Sequence, residues 1–442
     1  MRYIVDLHGH SGYAGGVGNI ELADLARTMR LKGIQAYGVG DCLQPAWSRR
    51  LESLLAPAPE APGLFALAGA DADTAGARFV WQTEIIITCA VPSGGRKGTH
   101  LVILFPGPAA AGAARRLLAG WDVKLDMGRP FLKCADAADV AEKCFALGRI
   151  DPRIEFIPAH VLTPQGIYGS DHPVDRLSDV FGDFAAEIHA VETGLSSDPE
   201  LLAIIPELDS RALVSHSDAH SAALNRVGRE FTCLDVERPS YASLIDAIRG
   251  RRVVYTVEFH PSEGRYYLTG HRAGLAGHPA NAHCFYSPGQ VPADGLCPIC
   301  RKPLTVGVLD RALELARIQA PPGEKPRRPG ATPPRQEGRR LVPLVEALAA
   351  ALGGGGVSAK KVRTLFDAIL RRAGTEAAFW ELTPEAMENE YAARLPGQAL
   401  SGLLAVRRGD FSFQPPGFDG SYGRLVLGKP DDGRAWRVEA FP

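Results

Sequence analysis

The chain lacks any apolar run that approaches the ~18 residues needed to span a membrane. It also lacks a dominant charge. Its 49 Lys and Arg stand against 50 Asp and Glu, for a formal net charge of −1. A wholesale basic balance, the direct mark of a nucleic-acid binder, is therefore absent, although a local basic groove would suffice to hold DNA. No Gly-x-x-x-x-Gly-Lys-Ser phosphate loop and no Ser/His/Asp nucleophile arrangement occurs. Chemistry on a phosphate would have to come from another device. No leader is visible, because Met1–Val5 runs straight into an expected strand. Five of the eight cysteines, at 42, 89, 134, 144 and 233, are scattered among apolar residues and read as buried reduced thiols. A soluble, reducing, cytoplasmic setting is the expectation.

What is present is 442 residues, enough for two or three domains, with 45% hydrophobic residues to fill their cores. The first ~260 residues alternate short β-like runs with amphipathic stretches, as a parallel α/β fold does. Strands are expected at Tyr3–Leu7, Ala36–Val39, Phe79–Thr88, Leu101–Phe105, Glu155–Ala159, Glu187–Val191, Ala212–Ser215 and Val253–Val257. Eight strands fit a barrel better than an open sheet. Between the first two, Ile20–Leu31 reads as a helix with Asn19 as N-cap and Gly33 as its C-terminal stop. The domain expectation is a barrel over 1–258, a metal-binding module over 259–317, a Pro/Gly/Arg-rich linker over 318–342, and a mainly helical domain over 343–442. Phe411–Leu427 closes that domain as a hairpin turning at Asp419-Gly420.

Chemistry-bearing residues recur at the ends of these strands. The first ends in Asp6-Leu-His-Gly-His10, whose alternation puts Asp6, His8 and His10 on one face. The second ends in Gly40-Asp41, the third carries Glu84, the fifth ends in His160, and Val214-Ser-His-Ser-Asp-Ala-His220 follows another. Glu187-Ile-His-Ala-Val-Glu192 sets His189 and Glu192 in a further apolar run. Lone carboxylates and imidazoles in such surroundings are costly, and metal ions are the economical shared partner. In a β/α barrel the C-terminal strand ends form one face, where such groups converge. Water activated by metal ions is the mechanism this pattern favours.

A second cluster, Cys284 and Cys297-Pro-Ile-Cys300, supplies three thiolates. The redox reading of a Cys-x-x-Cys wants the start of a helix in a thioredoxin-like context, which is missing; one structural zinc is the better expectation. His271, His278 and His283 are the candidates for the fourth ligand, and His271 is preferred because His283 adjoins Cys284.

The strand-end motifs, in this order, resemble those of the PHP (polymerase and histidinol phosphatase) family. The resemblance implies a distorted β/α barrel of PHP type with two or three divalent ions, zinc, magnesium or manganese. By position it makes His8, His10, Asp41, Glu84, His160, Asp218 and His220 ligands, with Asp218, His8, His10 and Glu84 catalytic. Cys42 departs from the pattern, since many members carry His there; packing is the preferred role. Tyr267-Leu-Thr-Gly-His-Arg272, Cys297-Pro-Ile-Cys300 and Gly417-Phe-Asp-Gly-Ser-Tyr-Gly423 narrow the likeness to endonuclease Q. That family implies a DNA-repair endonuclease cutting 5′ of uracil, hypoxanthine, xanthine and abasic sites, working at the nucleoid, with a replication clamp as a further partner. DNA contacts are expected from Arg327 and Arg328 in the linker and Lys360 and Lys361 on the following helix, with Tyr168 as a stacking surface. The alternatives are a small-molecule phosphatase of the histidinol-phosphate kind and a non-catalytic DNA-binding scaffold.

Overall fold

The computed structural model describes residues 1–15, 18–274, 278 and 282–428. Strand alternation organises its N-terminal half. Along β1 (Arg2–Asp6) and just beyond, Tyr3, Val5 and Leu7 enter one buried cluster. The same cluster takes Ala36 from β2 (Ala36–Gly38), Val80 from β3 (Arg78–Ala90), and Val102 and Leu104 from β4 (Arg96–Phe105). It takes Ile157 from β5 (Glu155–Pro158), Ala190 from β6 (Ala190–Glu192), Ala212 and Val214 from β7 (Ala212–Val214), and Leu234 from β8 (Phe231–Asp235). One cluster fed by every second residue of successive strands is a barrel interior. Intervening residues such as Phe79, Trp81, Leu101, Ile103 and Leu213 join a larger cluster shared with the surrounding helices.

The strands form a mixed α/β sheet rather than a wholly parallel one. β1, β2 and β3 run parallel, β3–β4 and β4–β5 are antiparallel, and β6 and β7 are parallel. β8 lies antiparallel between β1 and β9 (Val253–Glu258). Side chains bridge the gap where ladders are missing. The Ser215 N–H donates to Thr232 Oγ1 at 2.9 Å, and the Gln336 amide bonds both the N–H and the C=O of Leu213. β8 escaped the sequence reading because Phe231–Asp235 is a five-residue return strand without alternation to mark it.

The first helix runs Leu22–Lys32 and stops at Gly33, whose φ of 87° suits glycine. Its N-cap is Glu21, not Asn19; the Asn19 amide instead donates to the Glu21 carboxylate. The segment read as a linker is fastened to the barrel. Glu337–Arg340 forms β10, parallel to β9. Arg327 forks onto Asp209, Arg340 pairs with Asp198 and Glu200, and the Arg339 guanidinium lies 3.6 Å from the Tyr255 ring centre. A cation-rich stretch that looks solvated in sequence is held by carboxylates from distant parts of the chain.

Helix Val308–Ile318 places Val308, Ala312, Leu315 and Ala316 in the barrel's outer core. Helices Leu344–Ala351, Lys360–Ala373, Glu376–Glu381, Pro384–Tyr391 and Gly397–Arg408 build a separate core around Leu348, Phe366, Phe379 and Leu403. A buried ion pair, Lys32 to Glu376 at 2.5 Å, joins it to the barrel. Strands Phe411–Phe413 and Leu425–Leu427 pair as a hairpin, with Asp419 and Gly420 both at positive φ in the intervening turn.

Candidate metal centre and nucleic-acid interface

β1 ends at Asp6, and the strand's alternation carries His8 and His10 onto one side. Asp6 points elsewhere: its carboxylate accepts the Ser217 N–H (3.0 Å), the Ser217 hydroxyl (2.6 Å) and the Gly228 N–H (2.9 Å). It thereby pins the loop after β7 against β1, and the His10 N–H closes the seam on Ala219 O at 3.1 Å. Glu84 projects from mid-β3, and His100, two places along β4 from Glu84's cross-strand partner Val102, reaches the same face. His160 follows β5. Asp41, His160 and Asp218 all have positive φ, a strain that Asp and His tolerate better than most residues.

The donor atoms fall into three overlapping groups, each with all members within 4.8 Å: His8, His10 and Glu84; His10, Asp218 and His220; Glu84, His100 and His160. His10 and Glu84 are shared, so the groups form a chain. The structure thus brings together six of the seven expected ligands. The seventh, Asp41, stands behind His10, 3.3 Å from Nδ1, and accepts the Ser11 N–H and hydroxyl at 2.7 and 2.6 Å. Glu192 has the same position behind two other rings, 3.0 Å from His8 Nδ1 and 3.1 Å from His216 Nδ1, while accepting the His160 N–H at 3.0 Å.

These contacts occupy Nδ1 and leave Nε2 for the interior of the site. His8 Nε2, His10 Nε2, His216 Nε2, Glu84 Oε2 and Asp218 Oδ1 are buried without a hydrogen bond. His10 Nε2 and Asp218 Oδ1 lie 2.9 Å apart but are not aligned for one. Orphaned buried donors are costly. Four of these atoms, those of His8, His10, Glu84 and Asp218, lie within 2.9–3.6 Å of a neighbour in the set and fit divalent cations well, and carboxylates standing behind imidazoles are the usual support of metal-bound histidines.

The carboxylates make the site favourable to positive charge. Burial disfavours the His8 imidazolium, yet Glu192, Asp218 and Glu84 outweigh it and hold its pKa up at about 9. Burial likewise opposes ionisation of Glu192, but His8 and His216 keep it down at about 2. Asp218 is held far below the carboxylate range because His8 and His10 overcome its burial.

The centre opens into a cavity of about 450 Å³ whose wall carries Arg129, Arg226, Arg229 and Arg265, with Tyr266 and Tyr422 beside them. Acidic ligands below and guanidinium groups around them suit a phosphate ester. Sequence reasoning missed His100 and these arginines. It quoted the segment with His216 but passed over that ring, although His216 shares the two-residue spacing of Asp218 and His220. Cys42 packs in the outer core, its thiol pushed well above the usual range by burial. His189 lies against Glu155 at 3.2 Å, away from the centre. Tyr168 is fully buried, with its hydroxyl donating to Glu207, so it offers no stacking surface. Among the cations expected to meet DNA, Arg327 is spent on Asp209, whereas Arg328, Lys360 and Lys361 are exposed.

In the second cluster, His271 Nδ1 is 3.2 Å from Cys300 Sγ and His278 Nε2 is 3.4 Å from Cys297 Sγ. The four donors His271, His278, Cys297 and Cys300 lie within 4.8 Å of one another. Cys284 touches Cys297 at 3.7 Å but stands outside that group. Although burial raises the Cys297 thiol, N–H groups of Cys300 and Ile299 and the two histidines bring its pKa to about 6. Burial and Cys297 push Cys284 up to about 12.

The mixed α/β barrel carries this chain of His and carboxylate donors at one open cavity, the arrangement of a metal-dependent hydrolase. No family model matches the chain. Two curated proteins, both uncharacterized, match part of it. Bacillus subtilis YqxK is 29% identical over 278 residues, 61% of this chain and 60% of that protein. Methanocaldococcus jannaschii MJ0043 is 28% identical over 257 residues, 56% of this chain and 29% of that protein. The chain thus matches less than two thirds of either relative's length. Solved structures match throughout. The lesion-specific endonuclease PfuEndoQ of Pyrococcus furiosus aligns with a TM-score of 0.74 and 27% identity, covering 97% of this chain and 96% of its own. Endonuclease Q bound to a 27-mer duplex with an abasic lesion at its active site aligns with a TM-score of 0.77 and 27% identity, covering 98% and 100%. Over nearly its whole length the chain is similar to endonuclease Q.

Proposed function

We propose that this protein is a metal-dependent DNA-repair endonuclease that hydrolyses the phosphodiester 5′ of deaminated bases and abasic sites. The observation that carries the reading is the chain of orphaned donors at the floor of an arginine-lined cavity, in a fold that matches a lesion-bound endonuclease Q from end to end. His8, His10, Glu84, His100, His160, Asp218 and His220 would hold two or three divalent ions. When bound, such ions acidify water and neutralise charge on a phosphate.

The chain's own residues do the rest. Glu192 and Asp41 fix the histidine rings so that Nε2 faces the site. Asp6 holds the loop that carries Asp218. Arg129 and Arg226, on the cavity wall, would bind the oxygens of the scissile and flanking phosphates and align the P–O bond over the donors. His271, His278, Cys297 and Cys300 would close around one structural zinc. Lys360, Lys361 and Arg328 would meet the duplex backbone beyond the cavity.

The test is cleavage of end-labelled duplexes that carry a single uracil, hypoxanthine or abasic site. Nicking on the 5′ side of the lesion, leaving a 3′ hydroxyl, is expected. Hydrolysis restricted to small phosphomonoesters would favour the phosphatase reading instead.

A further inference from the structure

The C-terminal hairpin reaches the mouth of the cavity. Its turn, Phe418 to Tyr422, is fixed on two sides. On the side of the cysteine module, Asp419 accepts the Arg272 N–H at 2.7 Å and the Thr305 hydroxyl at 2.6 Å, and Phe418 packs on Phe285 with ring centres 5.0 Å apart. On the barrel side, the Gly417 N–H donates to Ser262 O, the Gly420 N–H to Arg265 O, and the Gly423 N–H to Glu263 O, at 2.7–2.9 Å. Asp419 and Gly420 have φ of 42° and 86°, and a side chain at Gly420 would meet the Arg272 guanidinium at 2.8 Å.

A turn this firmly held presents one large exposed side chain, Tyr422, 45% exposed. The Arg265 guanidinium lies 5.5 Å from the Tyr422 ring centre and 5.7 Å from that of Tyr266, so it sits against both rings. Its Nε donates to Gly420 O at 3.0 Å, which locks it to the turn. All three residues line the cavity that holds the donor chain. An aromatic face on a rigid mount, beside a cation and a phosphate-binding floor, is how proteins hold unpaired bases without reading their identity.

We infer that Tyr422, stacked with Arg265, binds the face of an unpaired base of the DNA strand next to the scissile phosphate, and that Asp419 positions it. The inference rests on the nuclease reading. Asp419 lies between Arg272 and Thr305, so the module that carries His271 and Cys300 sets where Tyr422 stands.

The experiment uses the full-length protein and single-stranded or lesion-containing oligonucleotides with 2-aminopurine beside the lesion. Its fluorescence on binding reports stacking and requires no cleavage. Wild type and Tyr422→Phe should quench the probe. Tyr422→Ala should lose the quench and bind roughly tenfold more weakly, about the loss of one base stack. KM in cleavage should rise by a similar factor, with kcat at saturation within about twofold. Asp419→Asn should show the same KM rise in milder form, with the cysteine module's zinc content unchanged. Full quenching and unaltered KM in Tyr422→Ala would overturn the inference. If wild type binds and quenches but cuts no lesion strand, the nuclease reading fails while the stacking contact stands.

Discussion

His8 turns Nδ1 to the Glu192 carboxylate at 3.0 Å, and that contact decides which ring nitrogen faces the site. Glu192 does the same for His216 and receives the His160 N–H, so one buried carboxylate orients donors from three strands. Replacing it by glutamine keeps the shape and removes the charge. Metal affinity should fall about 10–100-fold in Glu192→Gln, as expected for loss of a supporting carboxylate. Titration calorimetry of the apoprotein checks this, and unchanged affinity would remove Glu192 from the supporting role.

The cysteine module gives a sharper discrimination. His278→Ala and Cys300→Ser should each release about one zinc, because each removes one of four donors within 4.8 Å. Cys284→Ser should retain it, since Cys284 stands outside that group of four. Elemental analysis of the three purified variants decides between His278 and Cys284 as the fourth ligand.

Glu258 and Glu230 are fully buried neighbours beneath the centre. Burial, with the charge of Asp198 adding to it, pushes Glu258 up to about 8, and burial and then Glu258 push Glu230 well above the usual range. A carboxyl whose folded pKa exceeds its unfolded value of about 4.5 contributes stability that is complete below 4.5 and lost as pH rises through about 8. Glu258→Gln stays neutral and can still accept from Ser215 and Thr193. Its melting temperature should exceed that of wild type at pH 8, and the gap should close by pH 5. Thermal melts across that range show it, and a gap that widens toward acid would contradict the assignment.

Lys360 and Lys361 are exposed at the start of their helix, whereas Arg327 is forked onto Asp209. Lys360→Glu combined with Lys361→Glu should weaken DNA binding and reduce its salt dependence by about one to two phosphate contacts. Arg327→Ala should leave binding alone and lower stability by about 1 kcal/mol at most, since its ion pair is partly exposed. Binding isotherms at several salt concentrations separate the two.

Much of this site could be seen in the sequence because strand alternation converts spacing into direction. Asp6, His8 and His10 announced a strand end, and His160 and the 216–220 segment did so again. His100 stayed hidden because its role depends on cross-strand register, set by Val102 facing Glu84, which no local spacing encodes. Asp41 reads as a ligand because its residue type and place at a strand end are the same for a ligand and for the carboxylate behind one; its 2.7 Å bond from the Ser11 N–H and its place behind His10 Nδ1 leave it outside the donor groups. The fastening of the linker segment is hidden for a similar reason. Its arginines find partners, Asp198, Glu200 and Asp209, more than a hundred residues away. Tyr168 suggests a stacking surface because it is an aromatic residue in the loop after His160, and the fold buries it.

The central claim is tested most directly by mapping the ends produced from a uracil-containing duplex and its normal twin, using metal-loaded wild type and Asp218→Asn. Asp218 joins His10 and His220 in one donor group, and its Oδ1 has no hydrogen bond. The account predicts a single nick 5′ of uracil by wild type, no cut in the normal duplex, and loss of at least ~100-fold in Asp218→Asn with circular dichroism unchanged. Equal cutting of both duplexes, or near wild-type cleavage by the metal-loaded mutant, would contradict it.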